Sequence, residues 1–111
     1  MQWNNNSPIY LQIKEKIIAA IIDQAMLEGD AIPSIRQISA DYQINPITVS
    51  KAYQLLVENG ILEKRRGLGM FVMEGARKQL LHEQKQQFLL DEWPELKAKI
   101  KRLGLSLEEL V

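Results

Sequence analysis

The chain has 111 residues, about one domain by length, and no cysteine, which removes a disulfide framework and any thiolate metal site. Its one histidine, His82, cannot make a Cys/His zinc site alone. Fourteen basic residues balance fourteen acidic ones, so total charge argues for neither a nucleic-acid nor a membrane partner, and the longest apolar run, Ile17 to Ile22, is far too short to span a bilayer.

Residues Met1 to Asn6 carry neither a basic stretch nor an apolar one, so a secretory signal is not expected and the chain is read as cytoplasmic. Ser7 is a candidate N-cap and Pro8 suits the first position of a helix. Tyr10, Ile13, Ile17, Ala20 and Ile21 then recur every three or four residues and predict one helix face. Leu27-Glu28-Gly29-Asp30 reads as a turn. After Pro33, Ser34 and Gln37 have the spacing of a capping box, and Ile35, Ile38 and Tyr42 give a short second helix.

A very short connection, Gln43-Ile44, leads to Asn45-Pro46, which repeats the cap-then-proline start for a third helix. Its inner face reads Val49, Ala52, Tyr53, Leu56 and Val57, with Tyr53 a core residue whose hydroxyl is expected near the surface. Asn59-Gly60 ends it. Ile61 to Arg65 and Met70 to Met73 are strand candidates around Arg66-Gly67-Leu68-Gly69, a hairpin pattern.

Gly75 and Ala76 mark a change of character. The sequence therefore divides into residues 1–75 and a helical tail, residues 76–111. In the tail, Leu89, Trp93, Leu96, Ile100, Leu103, Leu107 and Leu110 follow a heptad-like spacing. Pro94 falls inside that stripe and is expected to kink the helix or start a new one. Gly104 is expected to end it, and Ser106 with Glu109 to cap a last short turn.

The expected fold is mainly α with a small β-hairpin. Two short helices joined tightly make a helix-turn-helix, and the hairpin after them makes it winged. Chemistry other than binding has little support. Asp91-Glu92 and Glu108-Glu109 are adjacent pairs that do not face each other on a helix, and His82 has no nucleophile near it in sequence. Gly67-Leu68-Gly69 opens no helix, so the dinucleotide fingerprint fails. No cofactor, no metal and no catalytic residue is expected.

Three stretches carry a resemblance: Gly29 to Arg36, Asn45 to Tyr53, and Arg66 to Val72, with the opening Pro8 to Ile13 as a fourth. In that order they resemble the GntR family of bacterial transcriptional regulators, and the short tail resembles its YtrA-type subgroup. Gln24 stands where that subgroup commonly has glycine, Ile47 where it commonly has a polar residue, and Met70 where it commonly has threonine. The resemblance implies a winged helix bound to double-stranded DNA, with the tail as dimerisation helices, and repression as the sign of control.

On that reading Arg36 is the first candidate. A basic side chain in the first turn of a helix opposes the helix dipole, and DNA offers it a phosphate or a guanine edge. Third-helix candidates are Asn45, Ile47, Thr48, Ser50 and Lys51, because the N-terminal residues of a recognition helix reach base edges. Asn45 is expected to act mainly as the cap, Ile47 to touch a thymine methyl, and Ser50 and Lys51 to meet phosphate. Ser34 joins them at the start of the second helix, and Arg65, Arg66 and Gly67 at the wing, with Arg66 suited to a minor groove.

The tail stripe needs a partner surface, either its own winged helix or a second copy. The resemblance favours a homodimer, with Leu81, Phe88, Leu89, Trp93, Leu96, Ile100 and Leu103 at the interface. A tail of this length is too short for a separate ligand fold, so any small effector, of unidentified chemistry, would have to sit at the dimer interface or be absent. A winged helix that binds protein rather than DNA is the competing reading, supported by the neutral net charge.

Overall fold

The helix boundaries follow from a few polar side chains and from where the chain turns left-handed. The computed structural model describes residue 3 and residues 5–111. Helix α1 spans Ile9–Ile22, and its N-cap is Pro8, with no side-chain cap bond. Ser7 is thus not the cap expected of it; its carbonyl instead accepts from the Gln12 amide nitrogen at 2.8 Å. The helix ends at Asp23, and Gln24 takes the left-handed conformation (φ 63). Gln24 N–H bonds Ile21 O and Ala25 N–H bonds Ala20 O, the paired bonds that close a helix C-terminus.

Helix α2 spans Ile35–Tyr42, with Ser34 as N-cap; the Ser34 hydroxyl accepts the Gln37 amide at 3.0 Å. Helix α3 spans Pro46–Glu58, and the Asn45 side chain accepts the Ile47 amide at 2.9 Å, with Pro46 just inside. Both starts match the sequence pattern. Strands β1, Leu62–Arg65, and β2, Gly69–Val72, pair antiparallel with Leu62 opposite Val72 and Arg65 opposite Gly69.

The segment before α2 does more than turn. Gly29 N–H bonds Val72 O, Val72 N–H bonds Asp30 O, and Ile32 N–H bonds Met70 O, with Ala31 bridged to Phe71. Residues 29–32 therefore cover the outer edge of β2, which would otherwise present unpaired backbone groups. Nothing in the local sequence marks this pairing, because it is a partnership between segments forty residues apart.

The core lies between α1 and α3, with α2 and the hairpin closing it. Ile13, Ile17 and Ile21 of α1 are buried, as are Val49, Ala52, Tyr53 and Leu56 of α3, Ile61, Leu62 and Val72 around the hairpin, and Ile32 and Ile44 in the connections. The α1–α3 and α2–α3 packings and the seat of β1 on α3 define this layer.

The chain divides into two compact units, residues 1–78 and 79–111. The first turn of α4, Ala76–Gln87, falls in the first of these. Glu28 holds it there: its carboxylate accepts the Gly75 amide at 2.8 Å and the Arg77 amide at 3.4 Å. Arg77 in turn donates through Nε to the Ile22 carbonyl at the end of α1 (2.9 Å).

In the second unit α4 runs into a π-turn, Phe88–Glu92, and then into α5, Trp93–Arg102. Gln87, Glu92 and Trp93 all keep right-handed helical backbone, so Pro94 neither stops the helix nor begins a separate one. Trp93 N–H bonds Phe88 O, five residues back, just before the proline. A wider turn at this point accommodates a ring that would meet the carbonyl four residues earlier. The expected heptad stripe is altered by it. Across the wide turn Phe88 comes under Trp93, with ring centroids 6.4 Å apart. Gly104, left-handed at φ 70, ends α5. A last turn, α6, spans Leu107–Leu110 with a reciprocal capping box between Ser106 and Glu109.

Candidate nucleic-acid interface

The inner residues of α3 dictate which side chains remain outside. With Val49, Ala52, Tyr53 and Leu56 buried, the exposed face carries Ile47, Lys51, Gln54 and Glu58, with Thr48 and Ser50 half-buried beside them. Ile47 is 76% exposed, about as open to solvent as Leu68 at the hairpin tip. A shallow depression of ≈ 420 Å³ runs along this face, lined by Ile47, Ser50, Lys51, Gln54, Leu55 and Glu58.

Next to it lies an open groove of ≈ 340 Å³ between α2, α3 and the hairpin. Ile35, Ser50, Gln54, Val57, Lys64 and Met70 line it. Ser50 and Gln54 belong to both surfaces. Lys64 reaches the groove because strand residues alternate: Lys64 lies opposite Met70, on the side of Leu62, while Arg65 falls on the side of Glu63 and Phe71. The run Lys64-Arg65-Arg66 is therefore not one patch but two sides and a tip.

Each basic candidate has a distinct setting. Arg36 is exposed at the second position of α2. The Lys51 ammonium lies 4.0 Å from the centroid of the Tyr10 ring, a cation–π contact that aims it from α1. Arg65 stacks its guanidinium 4.1 Å over the Phe71 ring and pairs with Glu63 at 3.5 Å. Arg66 and Gly67 are exposed at the tip, where Gly67 takes φ +76 and Leu68 N–H bonds back to Arg65 O. Ser34 is exposed, its hydroxyl engaged with the Gln37 amide. Ile47, Ser50 and Lys51 thus share a surface. Gln54, which helical spacing puts on the exposed face of the third helix, and Lys64, part of the basic run Lys64-Arg65-Arg66, line these surfaces as well. The signal for Lys64 was the period of two along β1, once the strand began at Leu62.

Tyr53 is a core residue, 1% exposed, and its hydroxyl donates to the half-buried Pro33 carbonyl at 2.6 Å. Burial pushes its phenol up to about 12. The bond ties the recognition helix to the residue just before the Ser34 cap. The tail candidates lie in the other unit. Phe88, Leu89, Leu96 and Leu103 are exposed, and Leu81, Trp93 and Ile100 half-buried. Leu90, in the π-turn, is also exposed.

Helix, helix-turn-helix and hairpin in this order, with a polar recognition-helix face flanked by a basic wing, make a winged-helix DNA-binding unit. The model of the gntR family of bacterial regulatory proteins matches residues 9–72, more than half of the chain, and the chain belongs to that family. Two relatives from Bacillus subtilis (strain 168) extend over almost all of it. The uncharacterized HTH-type transcriptional regulator YhcF is 33% identical over 110 residues, 99% of this chain and 89% of the relative. The HTH-type transcriptional repressor YtrA is 34% identical over 106 residues, 96% and 81%.

Among solved structures, a GntR family transcriptional regulator from Listeria monocytogenes superposes with a TM-score of 0.78 at 26% identity, covering 97% of this chain and 93% of that one. The DNA-binding domain of AraR, in complex with operator ORX1, superposes with a TM-score of 0.58 at 29% identity, covering 65% and 92%. The protein is a DNA-binding transcriptional regulator of the GntR family and not an enzyme. Among the described residues no helix is long and apolar enough to cross a membrane.

Proposed function

We propose that the protein is a homodimeric repressor that recognises a pseudo-palindromic operator, with α3 in the major groove and the hairpin at the adjacent minor groove. The observation that carries this reading is the face of α3: Ile47, Ser50, Lys51 and Gln54 on one surface, Ile47 uncovered. An exposed apolar residue at the start of a recognition helix suits a thymine methyl, and the neighbouring polar residues suit phosphate and base edges. Arg36, Arg66 and Lys64 add positive charge that total composition hides. The likeness to YtrA, named a repressor, supports the sign of control. The likeness to the DNA-binding domain of AraR, solved in complex with an operator, supports operator DNA as the partner.

Dimerisation through the tail rests on its apolar side chains. Phe88, Leu89, Leu96 and Leu103 are exposed, and an amphipathic helix does not leave such a stripe in water without a partner. A two-fold pair of reading heads about one DNA turn apart, roughly 34 Å, requires matching half-sites. An operator on bacterial chromosomal DNA makes this a cytoplasmic protein.

Selection of bound sequences from random duplex DNA, with Arg36→Ala as control, tests the reading. The expected result is a two-fold-related motif that weakens in the variant. A single half-site would remove the dimer from the proposal, and unselective binding would favour a protein-interaction module. Binding that appears only with cell extract would add a small-molecule effector as a partner.

A further inference from the structure

Helix α2 packs on α3, yet it has eight residues and none of them is fully buried. Beside it lies an open apolar pocket of ≈ 180 Å³, lined by Ile13, Ile17, Met26, Pro33, Ile38 and Tyr53 among others. The Ser39 hydroxyl oxygen, also on α2, is buried with no hydrogen-bond partner among the described residues. A two-turn helix with one side on α3 and another beside an open pocket is held loosely by packing alone.

Two hydrogen bonds supply what packing does not. Ile32 N–H holds the chain to the hairpin through Met70 O, and the Tyr53 hydroxyl holds the next residue, Pro33, to the recognition helix at 2.6 Å. Ser34, the cap of α2, and Arg36 follow immediately. Tyr53 sits rigidly, because its ring is buried among the inner residues of α3. The α2 start is thereby referred to the helix that reads DNA.

We propose that Tyr53 is a positioning residue for operator reading: its hydroxyl holds Pro33, and so sets where Arg36 lies relative to the exposed face of α3. The residue touches no DNA. It makes two reading elements act in one register, where otherwise α2 would shift on α3 toward the open pocket. The proposal rests on the assignment of Arg36 and α3 to DNA made above.

Tyr53→Phe removes one oxygen and keeps the ring. Two readouts separate positioning from simple stabilisation. In hydrogen exchange, the amides of α2 should exchange faster in the variant while those of α3 keep their protection; unchanged α2 protection would overturn the proposal without reference to DNA. In sequence selection, Tyr53→Phe should lower the ratio of specific to non-specific affinity roughly tenfold. It should relax the base positions that Arg36→Ala relaxes, and the double variant should be no more relaxed than Arg36→Ala alone. Equal losses on specific and random duplexes, or an unaltered base profile, would reduce Tyr53 to a stabilising role. If Arg36→Ala leaves the wild-type motif unchanged, the DNA assignment of Arg36 falls, and Tyr53 then stands or falls on the exchange result.

Discussion

At the scale of single residues, charge is informative only with direction. Arg36→Ala should cost about 1–3 kcal/mol on the selected operator and relax one base position if it reads guanine; a uniform loss across sequences would assign it to phosphate. Arg66→Ala should lower affinity and flatten the dependence of log K on log salt by about one unit, and an unchanged slope would separate the wing tip from the backbone. These two were legible as isolated or run-forming basic residues. Lys64 and Arg65 were not separable until β1 had a register, and the ring contacts of Lys51 and Arg65 require partners distant in sequence. Tyr53 adds a pH signature. Its folded-state phenol titrates near 12, above the unfolded value of 10, so the folded form holds its proton longer. Its contribution is complete below pH 10 and declines as pH rises toward 12. Alkaline unfolding of Tyr53→Phe should lack that part of the decline.

At the scale of elements, starts were easier to read than ends. Asn45 and Ser34 announce α3 and α2 because a short polar side chain has one local amide to satisfy. Asn45→Ala should lower stability by about 1 kcal/mol, measured by denaturant unfolding. The Ser7-Pro8 pattern misplaces the first helix by one residue, since Pro8 itself is the cap. The pairing of residues 29–32 with β2 leaves no local trace at all. At the end of α1, Gln24 adopts a left-handed conformation that a Cβ disfavours and glycine adopts freely. Gln24→Gly should therefore stabilise the fold by about 0.5–1 kcal/mol, and a lower midpoint in thermal melting would show that the Gln24 side chain has a role of its own.

At the scale of the whole molecule, the winged helix was legible as an order of elements, whereas the tail was legible only as an apolar period. The test of the tail is association. Ile100→Glu places a charge at a half-buried position of α5 and should convert a dimer to monomers in sedimentation equilibrium. It should also weaken operator binding by removing the linkage of two half-sites. A dimer that persists would move the interface to other residues.

The wide turn at Phe88–Glu92 changes what an insertion or deletion means in this chain. One turn there takes up roughly one residue more than an ordinary helical turn, and each helical residue advances the azimuth by about 100°. Losing a single residue from that segment would shorten the tail very little. It would close the wide turn into an ordinary one and leave Trp93, Leu96 and Ile100 near their azimuth relative to Leu81, whereas the same loss within α4 after Leu81 would swing them by about 100°. Two tails that differ by one residue at this turn would then offer the same face to a second copy. A length difference of one residue is thus absorbed at this turn and becomes a difference of angle anywhere else in the helix, so duplicated regulators that differ only here would still pair.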